Sequence, residues 1–378
     1  MNTDIVIIGA GAIGLSIARK MAREGNEVVL LEKEKQYGRG VSSRSSEVIH
    51  AGLYYKTNSL KASLCTKGKE LLYEHCARYK VNHKRVGKII LAIDEKEVER
   101  LEILKKQALE NGVLDITELG PRDIKKLEPN MAGKRALFSP SSGIFDTHGF
   151  MDSLFKLGKD KGVMFAAASP FIGAEFREGT WKIKVGGKEP VEIKSPLVIN
   201  SAGLYATEIS RRVFPERATP KLYSKKGSYA RYSGATAINH IVYPALIPGL
   251  IEPRVDVTPD LGGVLRFGPT VEEAKNLEDF SIAPDLLERI TPVIKRRLPF
   301  LDATKIYPDC AGIRPRIFGS NDPVEDFRFE WAPVAGWLDL WGMESPGLTA
   351  SLAIAEHVFE MAKERDLLCK KKVYHAEN

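Results

Sequence analysis

Residues 4–14 read DIVIIGAGAIG, a short apolar run that is followed at once by three glycines. The run is too short for a helix and rich in β-branched side chains, so it predicts a buried parallel strand. Gly9, Gly11 and Gly14 have the G-x-G-x-x-G spacing. In that spacing the first glycine allows a tight turn, the second lets a pyrophosphate approach the backbone, and the third lets helix and strand pack closely.

A helix over residues 12–24 and a second strand over residues 27–31 complete the βαβ pattern, and the strand ends in Glu32. An acidic side chain at this position can accept hydrogen bonds from a ribose diol. The stretch therefore predicts a dinucleotide site, and the alternative is a purely structural βαβ turn. The motif by itself does not separate NAD from FAD.

The composition is that of a globular protein that can bury a sizeable core. The chain has 378 residues, of which 43% are hydrophobic and 28% charged, and this length predicts about two to three domains. No window approaches the ~18 consecutive apolar residues of a spanning helix. The first strand begins too early for a targeting segment to precede it, and the four cysteines lack disulfide or metal spacing, so we expect a cytoplasmic protein with reduced thiols.

The net charge of +7 comes from interspersed residues and three local basic clusters, at residues 225–226, 295–297 and 370–372. We interpret these clusters as solvated faces and a tail. The alternative is attraction of an anionic substrate or peripheral contact with an anionic membrane. No basic stripe is interleaved with aromatic residues, so we expect no nucleic-acid partner.

A second strand-to-glycine turn, LVINSAG at residues 197–203, predicts that the chain returns to the first sheet after a long excursion. The segments between are rich in strands, with 164–176 and 180–185 as a meander and 220–268 as an antiparallel sheet. We expect an α/β (α+β overall) fold with two domains. A Rossmann-like FAD-binding domain would comprise 1–85, 140–218 and 305–378, and an antiparallel-sheet substrate domain 86–139 and 219–304. Helices are predicted at 58–79, 96–111, 121–127, 147–161, 206–213 and 284–298.

Several further motifs carry a family resemblance. They are SSEVIHAGLYY, NSAGLY, KGSY, DLGGVLRFGP, AGIRP and WGMESPGLTASLAIAE, in order from residue 45 to about 360. With the glycine motif, they resemble the L-2-hydroxyglutarate dehydrogenases/oxidases, within the D-amino-acid-oxidase/glycine-oxidase group of FAD enzymes. The resemblance implies noncovalent FAD and oxidation of a small 2-hydroxy acid by hydride transfer to flavin N5. Oxygen or a quinone would be the electron acceptor.

One departure from the family pattern concerns the substrate. Where the family carries G-V-H-x-T, this chain has RVDVT, so that Asp256 takes the place of the histidine. A carboxylate facing a dicarboxylate substrate would repel it. Oxidation of an amine or amino acid on the same fold is therefore one alternative, and an NAD-dependent dehydrogenase or a redox-inactive FAD-binding protein are others.

Oxidation of a 2-hydroxy acid needs a base for the hydroxyl proton and a cation for the carboxylate. His50 is the candidate base, because a histidine titrates near neutral pH. Arg314, in AGIRP, is the candidate carboxylate clamp, through bidentate pairing. Lys226 would hold a second carboxylate, and Tyr54 or Tyr229 would supply a hydroxyl or pack as aromatic rings.

The other six histidines stand in helical, turn or tail contexts, and we expect structural roles for them. Cofactor contacts are expected from small, polar or helix-opening residues of the motifs above, and no metal site is predicted. The cofactor set is Gly9, Gly11, Ile13, Gly14, Glu32, Lys33, Arg44, Ser45, Ser46, Val48, Ala202, Gly203, Gly312, Ile313, Gly347, Leu348 and Thr349. Amides at the start of the last helix would stabilise negative charge on the reduced flavin ring.

Overall fold

A computed structural model of the chain describes residues 1–245, 255–318, 323–324 and 326–369. Predicted features outside these ranges, among them the basic cluster 370–372 and His375, lie outside the described residues. The described α-helices span Ala12–Arg23, Leu60–Arg78, Glu95–Glu110, Pro121–Leu127, Thr147–Asp160, Ala206–Val213, Leu286–Arg297 and Gly347–Lys363. Each predicted helix is present, with ends shifted by a residue or two. Ser59 caps the second helix as expected, since its hydroxyl accepts from the Ala62 amide.

The first strand of the chain lies inside a six-stranded sheet of the described residues. The strands run in the order Arg328–Trp331, Trp337–Trp341, Leu197–Asn200, Ile5–Ile8, Val28–Leu31 and Met164–Ala166. All are parallel except the first, which is antiparallel to its neighbour. Both faces of this sheet are covered, which explains why its central strands are buried at every position and almost entirely apolar, with Asn200 as the exception.

One face of the sheet packs against helices. Ala12–Arg23 contacts Thr147–Asp160 and Gly347–Lys363, and the last of these also lies against Leu60–Arg78. The other face is covered by a three-stranded meander of Phe171–Arg177, Thr180–Val185 and Val191–Ser195. The α/β prediction with a Rossmann-like cofactor unit is thereby confirmed, as helices, parallel sheet and meander form three layers.

A second, nine-stranded sheet runs in the order Glu272–Glu273, Lys225–Tyr232, Leu265–Phe267, Val257–Pro259, Ile241–Pro244, Lys88–Ala92, Arg135–Ser139 and Thr117–Leu119 among the described residues, and Ile306–Arg314 pairs with Lys225–Tyr232. Leu286–Arg297 packs on one face and Glu95–Glu110 on the other. Two small sheets complete the fold: Lys221–Leu222, Ile317–Phe318 and Pro323–Val324, and Val48–Ile49, Gly143–Phe145 and His83–Lys84.

Three details differ from the sequence-based expectation. The second sheet is mixed, because Lys88–Ala92 and Ile241–Pro244 pair in parallel, which a long connection between them permits. Met164–Ala166 is not part of the meander but the edge strand of the six-stranded sheet. Ile306–Arg314, assigned to the cofactor domain, pairs in the second sheet. With that strand moved, the division into two discontinuous domains remains our proposal.

Candidate active site

A cavity of about 940 Å³ extends from the glycine turn to the second sheet. Nearly all residues predicted for cofactor or substrate line it, although they come from distant parts of the sequence. The lining members are Gly9, Gly11, Ile13, Glu32, Lys33, Arg44, Ser45, Ser46, Val48, His50, Tyr54, Ala202, Gly203, Tyr229, Gly312, Ile313, Arg314, Gly347, Leu348 and Thr349. Gly14 and Lys226 are the two predicted residues that do not.

The three glycines of the first turn have separate steric roles. Gly9 has φ +96°, and a Cβ there would lie 2.9 Å from the Ala202 Cα. A Cβ on Gly14 would lie 1.9 Å from the Gly9 carbonyl oxygen, so this glycine lets helix and strand pack closely rather than facing the cavity. Gly11 faces the cavity, and a Cβ there would meet only the Ser42 hydroxyl, at 3.1 Å.

The end of the second strand supplies an ordered carboxylate. Glu32 accepts hydrogen bonds from the amides of Ala10, at 2.9 Å, and Glu34, at 3.0 Å. These bonds fix the carboxylate at the cavity wall beside the glycine turn, which is the place for a ribose contact. The glycine cradle and this carboxylate together fit the adenosine diphosphate part of a dinucleotide.

His50 follows the short strand Val48–Ile49 and is held by the start of the last helix. Its backbone amide donates to the Thr349 hydroxyl at 3.2 Å. Its ring Nε2 lies 3.3 Å from the Ser345 hydroxyl, which is itself 3.5 Å from the Tyr55 hydroxyl. Burial raises the pKa of Tyr55 well above its usual value, so this phenol stays protonated at neutral pH.

The start of the last helix, Gly347–Lys363, offers fewer backbone amides for cofactor contacts than the sequence predicted. The Gly347 amide donates to the Glu344 carbonyl at 2.5 Å, so it is engaged within the turn. The Thr349 hydroxyl donates to the Val48 carbonyl and accepts from His50. The backbone amides of Leu348 and Thr349 therefore remain as our proposed contacts for an anionic part of the cofactor.

Arg314 is a half-buried cation on the cavity wall. Among the described residues its guanidinium has neither an ion pair nor a side-chain hydrogen bond. The nearby Arg316 differs, since it pairs with Glu344, which also binds Lys61 at 2.9 Å. A half-buried guanidinium that forms no ion pair with a described carboxylate is suited to an anionic ligand.

The prediction for Lys226 is not supported by the geometry. Its ammonium pairs with Asp279 at 2.9 Å and donates to the Ser281 hydroxyl at 3.1 Å. Side chains alternate along a strand, and Gly227 and Tyr229 of the same strand line the cavity. Lys226 therefore points to the opposite face of the sheet, and the second carboxylate of a substrate needs another partner.

Aromatic and acidic side chains complete the end of the cavity nearest the second sheet. Tyr54 stacks on Tyr243 with ring centroids 6.2 Å apart, and both line the cavity with Tyr229 and Asp256. Burial raises the pKa of Tyr229, while Arg314 acts in the opposite direction, which places these two side chains close together. Asp256, the departure noted in the sequence, is buried at the cavity wall.

Several cavity residues had no role assigned from the sequence. They are Ser42, Tyr55, Lys61, Tyr243, Glu344, Ser345 and Arg316. Lys61 and Glu344 form a buried ion pair across most of the chain length, and no local spacing signals such a pair. Of the other histidines, His75 bonds Ser153 and His240 bonds Glu128, and neither lines the cavity. His83, His148 and His357 also lie away from the cavity.

The comparisons with known proteins agree with this site. Residues 4–361 match the FAD dependent oxidoreductase (DAO) family, so the chain belongs to that family. It is an FAD-dependent oxidoreductase, which confirms FAD as the cofactor. The residues of the glycine cradle, Glu32 and the last helix would hold it.

The chain is similar in sequence to individual members of known enzyme groups and in fold to a solved structure. The mitochondrial L-2-hydroxyglutarate dehydrogenase of Arabidopsis thaliana is 35% identical, over 94% of this chain and 83% of its own length. The glycerol 3-phosphate dehydrogenase of Caloramator mitchellensis is 30% identical, over 99% and 76%. In fold, the chain is similar to the FAD-bound L-alpha-glycerophosphate oxidase of Mycoplasma pneumoniae, with a TM-score of 0.87, 24% identity and coverage of 96% and 95%. Among the described residues, no helix is both long and apolar enough to cross a bilayer.

Proposed function

We propose that the protein oxidises the hydroxyl of a small 2-hydroxy acid, and that L-2-hydroxyglutarate, which becomes 2-oxoglutarate, is its substrate. One observation carries the proposal: His50 and Arg314 line the same cavity, and no described side chain forms an ion pair with the Arg314 guanidinium. The likeness to the Arabidopsis thaliana dehydrogenase supports the choice of substrate.

Arg314 and His50 would have different roles in the reaction, because one would bind a negative charge and the other would take a proton. Arg314 would bind the carboxylate next to the reacting carbon, and its planar donors would fix the orientation of the substrate. His50 would take the hydroxyl proton through a ring nitrogen, with Ser345 and Tyr55 holding the ring in place. Bound FAD supplies the acceptor for the hydride that leaves the same carbon.

A second candidate substrate is glycerol 3-phosphate, because the glycerol 3-phosphate dehydrogenase of Caloramator mitchellensis matches 99% of the chain. It also carries a secondary hydroxyl and an anionic group, so the same base and cation would serve. Amine oxidation is supported more weakly, since the glycine oxidase of Geobacillus kaustophilus is similar in fold at only 17% identity. Asp256 is the residue that would favour an ammonium group.

The electrons must pass to a second substrate after each turnover. Oxygen and a quinone are the two acceptors that we propose, and a quinone would bring the protein to a membrane surface from the cytoplasm. Hydrogen peroxide formation in air separates the two, since only transfer to oxygen produces it.

The decisive test is anaerobic bleaching of the flavin absorbance by a panel of compounds. The panel contains L- and D-2-hydroxyglutarate, L-lactate, glycerol 3-phosphate and glycine. We expect L-2-hydroxyglutarate to reduce the flavin fastest at equal concentration. Faster reduction by glycerol 3-phosphate would replace the proposed substrate, and reduction by glycine alone would replace the reaction class.

A further inference from the structure

Lys88 is a buried cation next to the end of the cavity nearest the second sheet, which is the substrate end in the mechanism proposed above, and that mechanism does not use it. Its side chain is fully buried. Its ammonium lies 4.1 Å from the centre of the Tyr243 ring and 5.6 Å from that of Tyr54. Both rings line the cavity, whereas Lys88 itself lies behind them. The charge is therefore separated from the cavity by one layer of aromatic side chains.

The register of the second sheet fixes this arrangement. Lys88 pairs with Ile241, and Ile90 pairs with Tyr243, in parallel strands. Side chains alternate along each strand, so Lys88 and Tyr243 project from the same face. The cation and the ring are thus held by backbone pairing, and a change of side chain at position 88 need not move the tyrosine.

A buried ammonium is screened little by solvent, so its charge acts on the groups around it. The opposite charge at this end of the cavity is the buried carboxylate of Asp256. That carboxylate by itself would repel a second carboxylate on a substrate. Aromatic faces attract cations, so the Tyr54 and Tyr243 rings can lie against the ammonium. Buried charges are screened far less than exposed ones, so the charge of Lys88 is felt across the rings.

We propose that Lys88 is a specificity-determining residue that offsets the charge of Asp256 and makes this end of the cavity selective for a dianionic 2-hydroxy acid. This inference rests on the proposed function for the identity of the substrate. Lys88 acts through Tyr54 and Tyr243 and does not touch the substrate. It supplies, at one remove, the positive charge for a second carboxylate that the sequence analysis expected from Lys226.

The test compares dicarboxylate and monocarboxylate binding in the FAD-loaded protein. Glutarate and butyrate are titrated against wild type and Lys88→Met, and the perturbation of the flavin absorbance gives each Kd. We expect Lys88→Met to weaken glutarate binding by about 10- to 100-fold, the range for loss of one nearby charge, and butyrate binding by less than about 3-fold. Equal weakening of both ligands, or no change in either, would overturn the proposal.

Two further variants keep the result clear. Lys69→Met is the matched control, because Lys69 is also a buried lysine, held by Ser141 and Glu70, but the cation–ring contacts to Tyr54 and Tyr243 among the described residues come from Lys88 and not from Lys69. It should leave the glutarate-to-butyrate ratio unchanged. Asp256→Asn should tilt the ratio toward glutarate, and the double variant with Lys88→Met should bring it back toward wild type. If Lys88→Met does not fold, Lys88→Gln, which also removes the charge but keeps a polar side chain, takes its place, and an unchanged ratio in that variant contradicts the proposal.

The outcome can be separated from that of the proposed function. Reduction of the wild-type flavin by L-2-hydroxyglutarate tests the reaction, whereas the glutarate-to-butyrate ratio tests only the charge selectivity. A wild type that is not reduced by L-2-hydroxyglutarate but loses glutarate selectivity on Lys88→Met would retain the Lys88 assignment and reject the substrate.

Discussion

At the cofactor end of the cavity, Gly9, Gly11 and Glu32 line the wall and Gly14 lies behind it, and all four come from one short stretch: the first strand, the turn and helix after it, and the end of the second strand. At the substrate end, Tyr54, Tyr229, Tyr243, Asp256 and Arg314 come from separate segments that only the second sheet brings together. The first end works through backbone shape, since what matters there is the absence of side chains. The second works through side-chain charge, so single substitutions should change ligand preference without loss of the fold.

The largest effect is expected from the glycine that packs rather than binds. In Gly14→Ala the new Cβ would lie 1.9 Å from the Gly9 carbonyl, a backbone clash that helix and strand cannot relieve without separating. We expect a loss of stability of about 3 kcal/mol or more, measured as the urea midpoint of unfolding, or no folded protein.

Gly11→Val should instead fold, as judged by circular dichroism, and purify without FAD. A yellow, fully loaded Gly11→Val would mean that the pyrophosphate site is misplaced.

A change at His50 should affect the chemical step with the cofactor still bound. We expect His50→Ala to slow anaerobic flavin reduction by L-2-hydroxyglutarate by roughly 10²–10⁴, the range for loss of a general base. Stopped-flow absorbance gives the limiting rate. Ser345→Ala, which removes only the hydroxyl near the ring Nε2, serves as the control and should be much milder. A wild-type limiting rate in His50→Ala would pass the role of base to another group, with Tyr54 or a water as candidates.

Arg314→Lys should weaken substrate binding more than it slows the reaction. An ammonium cannot reproduce the two parallel donors of a guanidinium, so we expect the apparent Kd for L-2-hydroxyglutarate to rise on the order of 100-fold. Arg316→Lys is the matched control, because that guanidinium is already paired with Glu344 and should affect the Kd less. Similar effects of the two substitutions would argue against a carboxylate clamp at Arg314.

Glu32→Gln tests a side-chain charge at the cofactor end. The amide keeps an acceptor for the Ala10 amide but loses the charge that strengthens a ribose hydrogen bond, so FAD affinity should fall about 10-fold. Titration of the apoprotein with FAD, followed by flavin fluorescence, measures this. Glu27→Gln, at an exposed residue that does not line the cavity, should bind FAD as wild type does. No change in Glu32→Gln would place the ribose elsewhere.

The smallest effect concerns acid stability away from both ends of the cavity. Burial lowers the pKa of His75 to about 3, whereas an unfolded histidine titrates near 6.5. Between those values the unfolded chain binds a proton that the folded chain does not. Stability should therefore fall as the pH falls below 6.5, by about 1.4 kcal/mol per pH unit. His75→Gln should flatten this slope in urea unfolding, and His148→Gln, at an exposed position, should not. Equal slopes would assign the acid loss to other groups.

The sequence by itself determined the cofactor end. A strand, a glycine turn and an acidic strand end are local features, and each follows from backbone geometry that a short stretch specifies. Local patterns also gave the helices, because period and capping residues lie within the helix itself, as with Ser59 at the start of Leu60–Arg78.

The substrate end was decided by tertiary structure. The sequence identified Arg314 and His50 as candidates, but it also favoured Lys226, which strand alternation turns away from the cavity. It gave no sign of Lys88, whose importance depends on a parallel pairing with Ile241 across a long connection. Which face a side chain occupies depends on strand register and on the neighbour that pairs with it. Register is set by the packing of the whole sheet, and no local spacing in the chain records it.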